Sequence, residues 1–270
     1  MNLALEQKLH YTLRLAVAMC FIGHGAFGII TKPIWCNYFA VFGIGKTMAY
    51  QLMPVLGSVD ILLGIIMLVY PLRAIALWLV IWGVVTASLR PLSGEPFAEL
   101  IERAGNFGAP LALILLSGGI GRFRELFKPI NPSVKIDEST LANVTTCLRV
   151  IVFLLLAGHG WLNIIGKKGL LAQYTNLGFA NPLQVAHIVG IFEIAAAFTI
   201  LIRPLRSVLF IVLIWKIASE LFYPHYMAFE WIERSGSYCT LLALWLISEK
   251  VAINTLFANP RLSFHKPEAN

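Results

Sequence analysis

The chain has 270 residues, 58% of them hydrophobic and 13% charged, where a soluble domain usually has about 25% charged. With a mean hydropathy of +0.77 there is too little polar material to coat a globule, and the composition describes an integral membrane protein. The net charge of +7 lies in short loops between apolar runs, with no basic cluster interleaved with aromatics; this argues against nucleic acid as a partner and for membrane topology.

After a polar lead-in, residues 12–30 are expected to form the first span, with Arg14 near its start and Gly23-His24-Gly25 near its end. Residues 31–49 contain Lys32, Pro33, Asn37, Gly43, Gly45 and Lys46. They are too polar and glycine-rich to span, and their aromatics suit the membrane interface. The second span, 50–70, carries Asp60. Pro71-Leu72-Arg73 makes a turn, and the third span, 74–89, holds Trp78 and Trp82 and is closed by Arg90 and Pro91. Residues 93–103 read as a short interfacial helix with Glu95, Glu99, Glu102 and Arg103, and 104–119 as the fourth span. Residues 121–140 are the least apolar interior stretch and form a basic linker.

The second half then echoes the first in order. Arg14 and His24 reappear as Arg149 and His159, shifted by 135. Gly57, Asp60, Pro71-Leu72-Arg73 and Trp82 reappear as Gly190, Glu193, Pro204-Leu205-Arg206 and Trp215, shifted by 133. Glu99, Glu102-Arg103 and Gly105 reappear as Glu230, Glu233-Arg234 and Gly236, shifted by 131. The offset changes only in loops, as small deletions in a duplicated unit require. The matching spans are 141–165, 182–202, 207–222 and 236–248. The expected fold is therefore all-α: a polytopic membrane protein of eight transmembrane helices, arranged as two parallel-repeat four-helix bundles. The units are residues 1–120 and 141–250, followed by a polar tail, 251–270. Four spans per unit give both units the same orientation, related by an axis along the membrane normal. Thirteen Lys and Arg against seven fall on the side of the termini, with Lys216 inside the membrane. Both termini are thus expected in the cytoplasm, with the chain in the cell (inner or plasma) membrane and lipid as its standing partner.

Ionisable groups at membrane depth cost about 2.5–3.5 kcal/mol each on insertion scales, so each needs a reason. The second half holds His159, Glu193, Lys216 and Glu220, the candidates for catalysis. The first holds His24, Asp60 and Arg90, which with His187 are the candidates for binding a cofactor. One reading is structural: Asp60 and Glu193 pair with Arg103 and Arg234 or with Lys216, and the histidines bond backbone carbonyls, holding helices together where lipid offers no hydrophobic drive. Another is a redox site for a quinone, where a histidine and a carboxylate on a neighbouring helix exchange protons in an apolar slot. Haem held between His24 and His159 is a thinner variant. A third is transport of ions or a small solute past the midplane charges. Cys20, Cys36, Cys147 and Cys239 show no metal-ligand spacing, no metal site is expected, and Gly43-Ile44-Gly45-Lys46-Thr47 lacks the leading glycine of a phosphate loop.

The glycine-rich end of the first span, and a second span of the form Gly57-x-x-Asp60-x-x-x-Gly64 followed by a short basic turn, resemble the DoxX family of small membrane proteins. The second copy keeps Gly190-x-x-Glu193 but has Ala197 where the second glycine stands. The resemblance covers about 12–248, as two fused units. It implies at most a redox-associated membrane role and transfers no catalytic residue; together with the histidine–carboxylate reading, the expected function is a quinone-linked redox component, working with a quinone or a redox partner protein. Whether the chain is itself an enzyme stays open; a non-catalytic scaffold or assembly protein is the alternative, and a small-solute or ion transporter a further one.

Overall fold

The computed structural model describes residues 3–223 and 228–257, with 249–257 described as helical backbone alone. Apart from one isolated bridge between Leu72 and Pro129, the regular structure of these residues is helical. The first half contains α1 (Leu5–Ile29), α2 (Trp35–Ala40), α3 (Lys46–Val69), α4 (Arg73–Leu92), α5 (Ala98–Glu102) and α6 (Ala104–Leu116). The second contains α7 (Glu138–Ile164), α8 (Lys168–Asn176), α9 (Pro182–Ile202), α10 (Arg206–Leu221), α11 (Ala228–Glu233) and α12 (Ser235–Phe257). Among the described residues, α1, α3, α4, α7 and α9 are long and apolar enough to cross a membrane; α6 and the Ser235–Ser248 part of α12 are apolar but shorter.

One apolar core runs through both halves, with Leu9, Leu13, Leu113, Leu148, Leu156 and Leu244 in the same cluster. Only 28% of the most apolar stretch of α3 is buried inside the protein, against 61% for α1. Val55, Leu62 and Val69 of α3 and Ile188 and Ile191 of α9 turn outward, as lipid-facing positions do. α1 is therefore an inner helix with α3 packed outside it, and α7 lies between α9 on one side and α5, α6 and α12 on the others.

Glycines set these crossings. A Cβ on Gly57 would stand 2.4 Å from the Gly25 carbonyl oxygen, and one on Gly190 2.7 Å from that of Gly160, so α1 meets α3, and α7 meets α9, backbone to backbone. Such close approach gives van der Waals packing where the surrounding lipid supplies no hydrophobic drive. The halves interlock by the same device. Gly23 of α1 lies against the Glu233 backbone and Gly158 of α7 against that of Glu102. The first helix of each half thus packs on the short acidic helix of the other.

The structure moves several expected boundaries. α1 begins at Leu5, and Arg14 reaches the C-terminal carbonyls of Met67, at 2.7 Å, and Leu68. Arg149 does the same for Leu201 and Ile202. Each arginine satisfies acceptors that the end of α3 or α9 leaves unpaired. α4 runs through Pro91 to Leu92, where Ser93 closes it by donating to the Arg90 carbonyl at 2.8 Å, and only Ala98–Glu102 of the following stretch is helical. Residues expected at the membrane interface turn inward: Trp35 and Tyr38 of α2 are buried with Phe27, Met53 and Leu89. All four cysteines are free.

Candidate functional site

α1 and α3 approach closely enough at Gly25 and Gly57 to bring His24 and Asp60 together: His24 Nδ1 lies 2.8 Å from Asp60 Oδ2. Asp60 is buried, whereas His24 retains some exposure and leans on the Trp35 ring, with centroids 4.6 Å apart. With Nδ1 held by the carboxylate, Nε2 is the nitrogen left for other partners. A carboxylate behind an imidazole fixes its tautomer and its orientation.

His24 lines an open cavity of ≈ 800 Å³, open solvent included. Trp35, Phe39, Phe42 and Leu56 give it apolar walls; Arg90, Arg103, Asn106 and Glu233 add polar groups. Arg90 is held by Glu95 at 3.1 Å and Glu99 at 3.4 Å and lies over the Tyr38 ring, whose hydroxyl donates to Glu95 at 2.6 Å. A mostly apolar cleft with a few convergent polar groups is the usual form of a small-molecule site.

Trp82 also lines this cavity. Its indole Nε1 is buried without a hydrogen-bond partner among the described residues. Leaving a buried donor unmade costs about 1–3 kcal/mol, so the group marks a place for an acceptor. The residue that echoes it, Trp215, has one: its Nε1 donates to Glu193 Oε1 at 2.9 Å. Glu193 carries one more methylene than Asp60, the corresponding acid.

The second half brings together the four residues expected to be catalytic, in a closed arrangement. His159 Nδ1 lies 2.5 Å from Glu193 Oε2. Lys216 Nζ lies 4.0 Å from Glu193 Oε1 and 2.6 Å from Glu220 Oε1, and Glu220 Oε2 lies 2.9 Å from Arg234. Asn163 bonds the His159 carbonyl at 3.1 Å and accepts from the Tyr174 hydroxyl at 2.7 Å. His159, Asn163, Glu193, Lys216 and Glu220 are each at most 3% exposed, and none lines the His24 cavity.

Arg234 joins this cluster to the first half. It contacts Glu102 at 2.9 Å, and Glu102 also takes Arg103 at 3.0 Å. Arg103 holds Glu99 at 3.0 Å, which Lys167 approaches at 2.7 Å. Lys32 correspondingly pairs with Glu230 of the other half. Burial alone would raise the Glu102 carboxyl; Lys167, Arg234 and Arg103 together outweigh it and hold the group well below the usual carboxylate range. For Lys167, burial lowers the ammonium, but Glu102, Tyr223 and Glu99 carry it above its ordinary value. Both lie between the long apolar helices, in α5 and the α7–α8 loop.

The expected residues thus fall into two groups. His24, Asp60 and Arg90 belong to the open cavity, the acid behind the histidine; His159, Glu193, Lys216 and Glu220 form a sealed chain. His187 is exposed on α9 and lines no part of the cavity. The expected pairing of Asp60 and Glu193 with Arg103 and Arg234 gives way to His24 and His159, because α5 and α10 supply those arginines with nearer carboxylates, whereas the alternative partner Lys216 does lie 4.0 Å from Glu193. The histidines correspondingly meet carboxylates in place of backbone carbonyls. Sequence reasoning used Trp82 and Trp215 as markers of the echo and overlooked them as site residues; an indole beside the recurring acid on both copies was the available signal.

In comparisons with known proteins, no family model, no curated protein and no solved structure matches this chain.

Proposed function

We propose that this is a DoxX-like membrane protein of eight spans in two parallel four-helix units, and that its first half binds a quinone at the His24–Asp60 pair. The reciprocal contacts of the halves, with Lys32 on Glu230 and Lys167 on Glu99, support the repeat. The observation that carries the binding site is that Trp82, whose buried Nε1 has no partner among the described residues, lines the same cavity as His24. A quinone carbonyl supplies the acceptor that the indole lacks, and the aromatic walls accommodate its ring. Neutral imidazole accepts a proton from a quinol hydroxyl, while imidazolium returns one to a quinone oxygen, with Asp60 stabilising the cation. Oxidation of the quinol sends two electrons to a redox partner protein and releases two protons, one to His24 and one to water through the open cavity, and reduction of the quinone reverses both; the chain contributes binding and proton exchange. The sealed chain from His159 to Arg234 favours a structural role for the second half, as a clamp between the units.

Purified protein in lipid nanodiscs, titrated with a short-chain benzoquinone after organic extraction of any bound quinone, tests this. The reading expects saturable binding, weakened about 10- to 100-fold by Asp60→Asn through loss of the group behind the imidazole, and abolished proton exchange in His24→Gln. Extracts free of quinone together with no saturable binding would overturn it.

A further inference from the structure

The echo that matches Trp82 to Trp215 sets their helices in register, so Gly83 corresponds to Lys216 and Ala87 to Glu220. Gly83 lines the cavity, and Ala87, one turn on, is buried beside it. Lys216 and Glu220 fill the corresponding place with an ammonium and a carboxylate 2.6 Å apart. The change is coordinated with others. Where Trp82 Nε1 lacks a partner, Trp215 is satisfied by Glu193. Where the first half has Phe39, a lining residue, and Gly28, the echo at the same offset has Tyr174 bonded to Asn163.

We propose that the second half is a self-occupied copy of the first-half site, with the Lys216 side chain, neutralised by Glu220, standing where a ligand stands in the first half, and that Gly83 is the residue that keeps the first site open. Each chain therefore carries one ligand site, not two. This rests on the reading of the first-half cavity as a binding site, and extends it by assigning the residue that decides which half binds. The fill is electrically neutral, one cation with one anion, and the first-half cavity is left with an unused indole donor. Both features fit a neutral ligand bearing a hydrogen-bond acceptor. A lysine at position 83 must first move Phe107, whose Cβ would lie 3.1 Å from the new Cβ; Gly83→Ala carries that displacement without the long side chain and serves as its control.

The test measures the cavities directly, without relying on any ligand. Asn106 lines the first cavity, and its counterpart Ser237 is 5% exposed. Cysteine is placed at each position separately, and labelling by a small maleimide is quantified at that residue by peptide mass spectrometry in folded, monodisperse protein. Asn106→Cys is expected to label in the parent and in Gly83→Ala, and at least about 10-fold more slowly with Gly83→Lys/Ala87→Glu. Ser237→Cys is expected to be protected in the parent and to label once Lys216→Gly/Glu220→Ala opens the second half. Benzoquinone stoichiometry should then move from one per chain to none in the first double variant. Unchanged labelling at both positions would overturn the inference, even if the parent binds quinone. Labelling that follows the substitutions while the parent binds no quinone would uphold the cavity assignment and overturn the quinone reading alone. If the Lys216→Gly/Glu220→Ala protein fails to fold, the Gly83→Lys/Ala87→Glu pair decides: retained labelling of Asn106→Cys and retained quinone binding would refute the role of Gly83.

Discussion

Gly105 of α6 and Gly236 of α12 meet at the junction of the two halves, and a Cβ on Gly236 would stand 2.5 Å from the Gly105 carbonyl. Only backbone fits between them, so the junction depends on two absent side chains. Gly236→Val should cost about 2–3 kcal/mol through overpacking that the main chain cannot relieve. Val55→Ala, on the outward face of α3, should stay within about 0.5 kcal/mol. Thermal unfolding in detergent, followed by fluorescence-detected size exclusion, compares the two. Equal stability of both variants would show that the crossing tolerates spreading.

The two indoles should respond in opposite ways. Trp215→Phe leaves Glu193 Oε1 without the donor it has at 2.9 Å and should destabilise by about 1–3 kcal/mol. Trp82→Phe removes a donor that has no protein partner, so the apo protein should keep its melting temperature while quinone affinity falls. Melting curves with and without benzoquinone check this. A larger loss of apo stability from Trp82→Phe than from Trp215→Phe would contradict it.

Lys216 and Glu220 should behave as a unit. Lys216→Met alone leaves a buried carboxylate with Arg234 as its remaining ion pair and should cost about 3–5 kcal/mol. Lys216→Met/Glu220→Leu removes both charges and should recover much of that, because an apolar pair avoids desolvation altogether. A double-mutant cycle reads the coupling; additive losses would mean that the pair is not coupled.

Stability should fall in acid and hold through neutrality. The depressed Glu102 stabilises the fold above its ordinary value of 4.5, and that contribution fades as pH drops through the lower folded value. The raised Lys167 contributes fully below its ordinary 10.5 and loses that contribution as pH climbs through the higher folded value. Melting temperature should therefore be level between about pH 5 and 9 and drop below about pH 4. In Glu102→Gln the acid limb should flatten and the plateau should sit lower. An acid limb identical to that of the parent would assign the transition to other carboxylates.

Much of the architecture was legible before any coordinates. An excess of apolar residues left nothing to face water with, which made the helices membrane helices. The ordered echo singled out His24 with Asp60 and His159 with Glu193, and both pairs form. Helical packing follows glycine spacing closely enough that Gly25 against Gly57 brings the histidine and its acid to adjacent faces. What lay beyond reading was where the His24 cavity lies and what lines it. Gly83 and Lys216 are plain in the chain, but whether a lysine points into lipid, water or its own half depends on what surrounds it. The richer set of ionisable residues drew attention to the second half, and the cavity lies in the first.

Sequence alone determined the helical class, the echo and the identity of the buried acids and histidines, because composition and spacing are local properties that survive without neighbours. Tertiary structure decided that Lys32 reaches Glu230 and Lys167 reaches Glu99, that Trp82 goes without a partner among the described residues while Trp215 has one, and that the cavity lined by His24 lies in the first half. Those outcomes depend on distances between segments that lie from 22 to 198 residues apart in the chain. A difference of one methylene, Asp60 against Glu193, changes which donors an acid can satisfy only once the helices are in place.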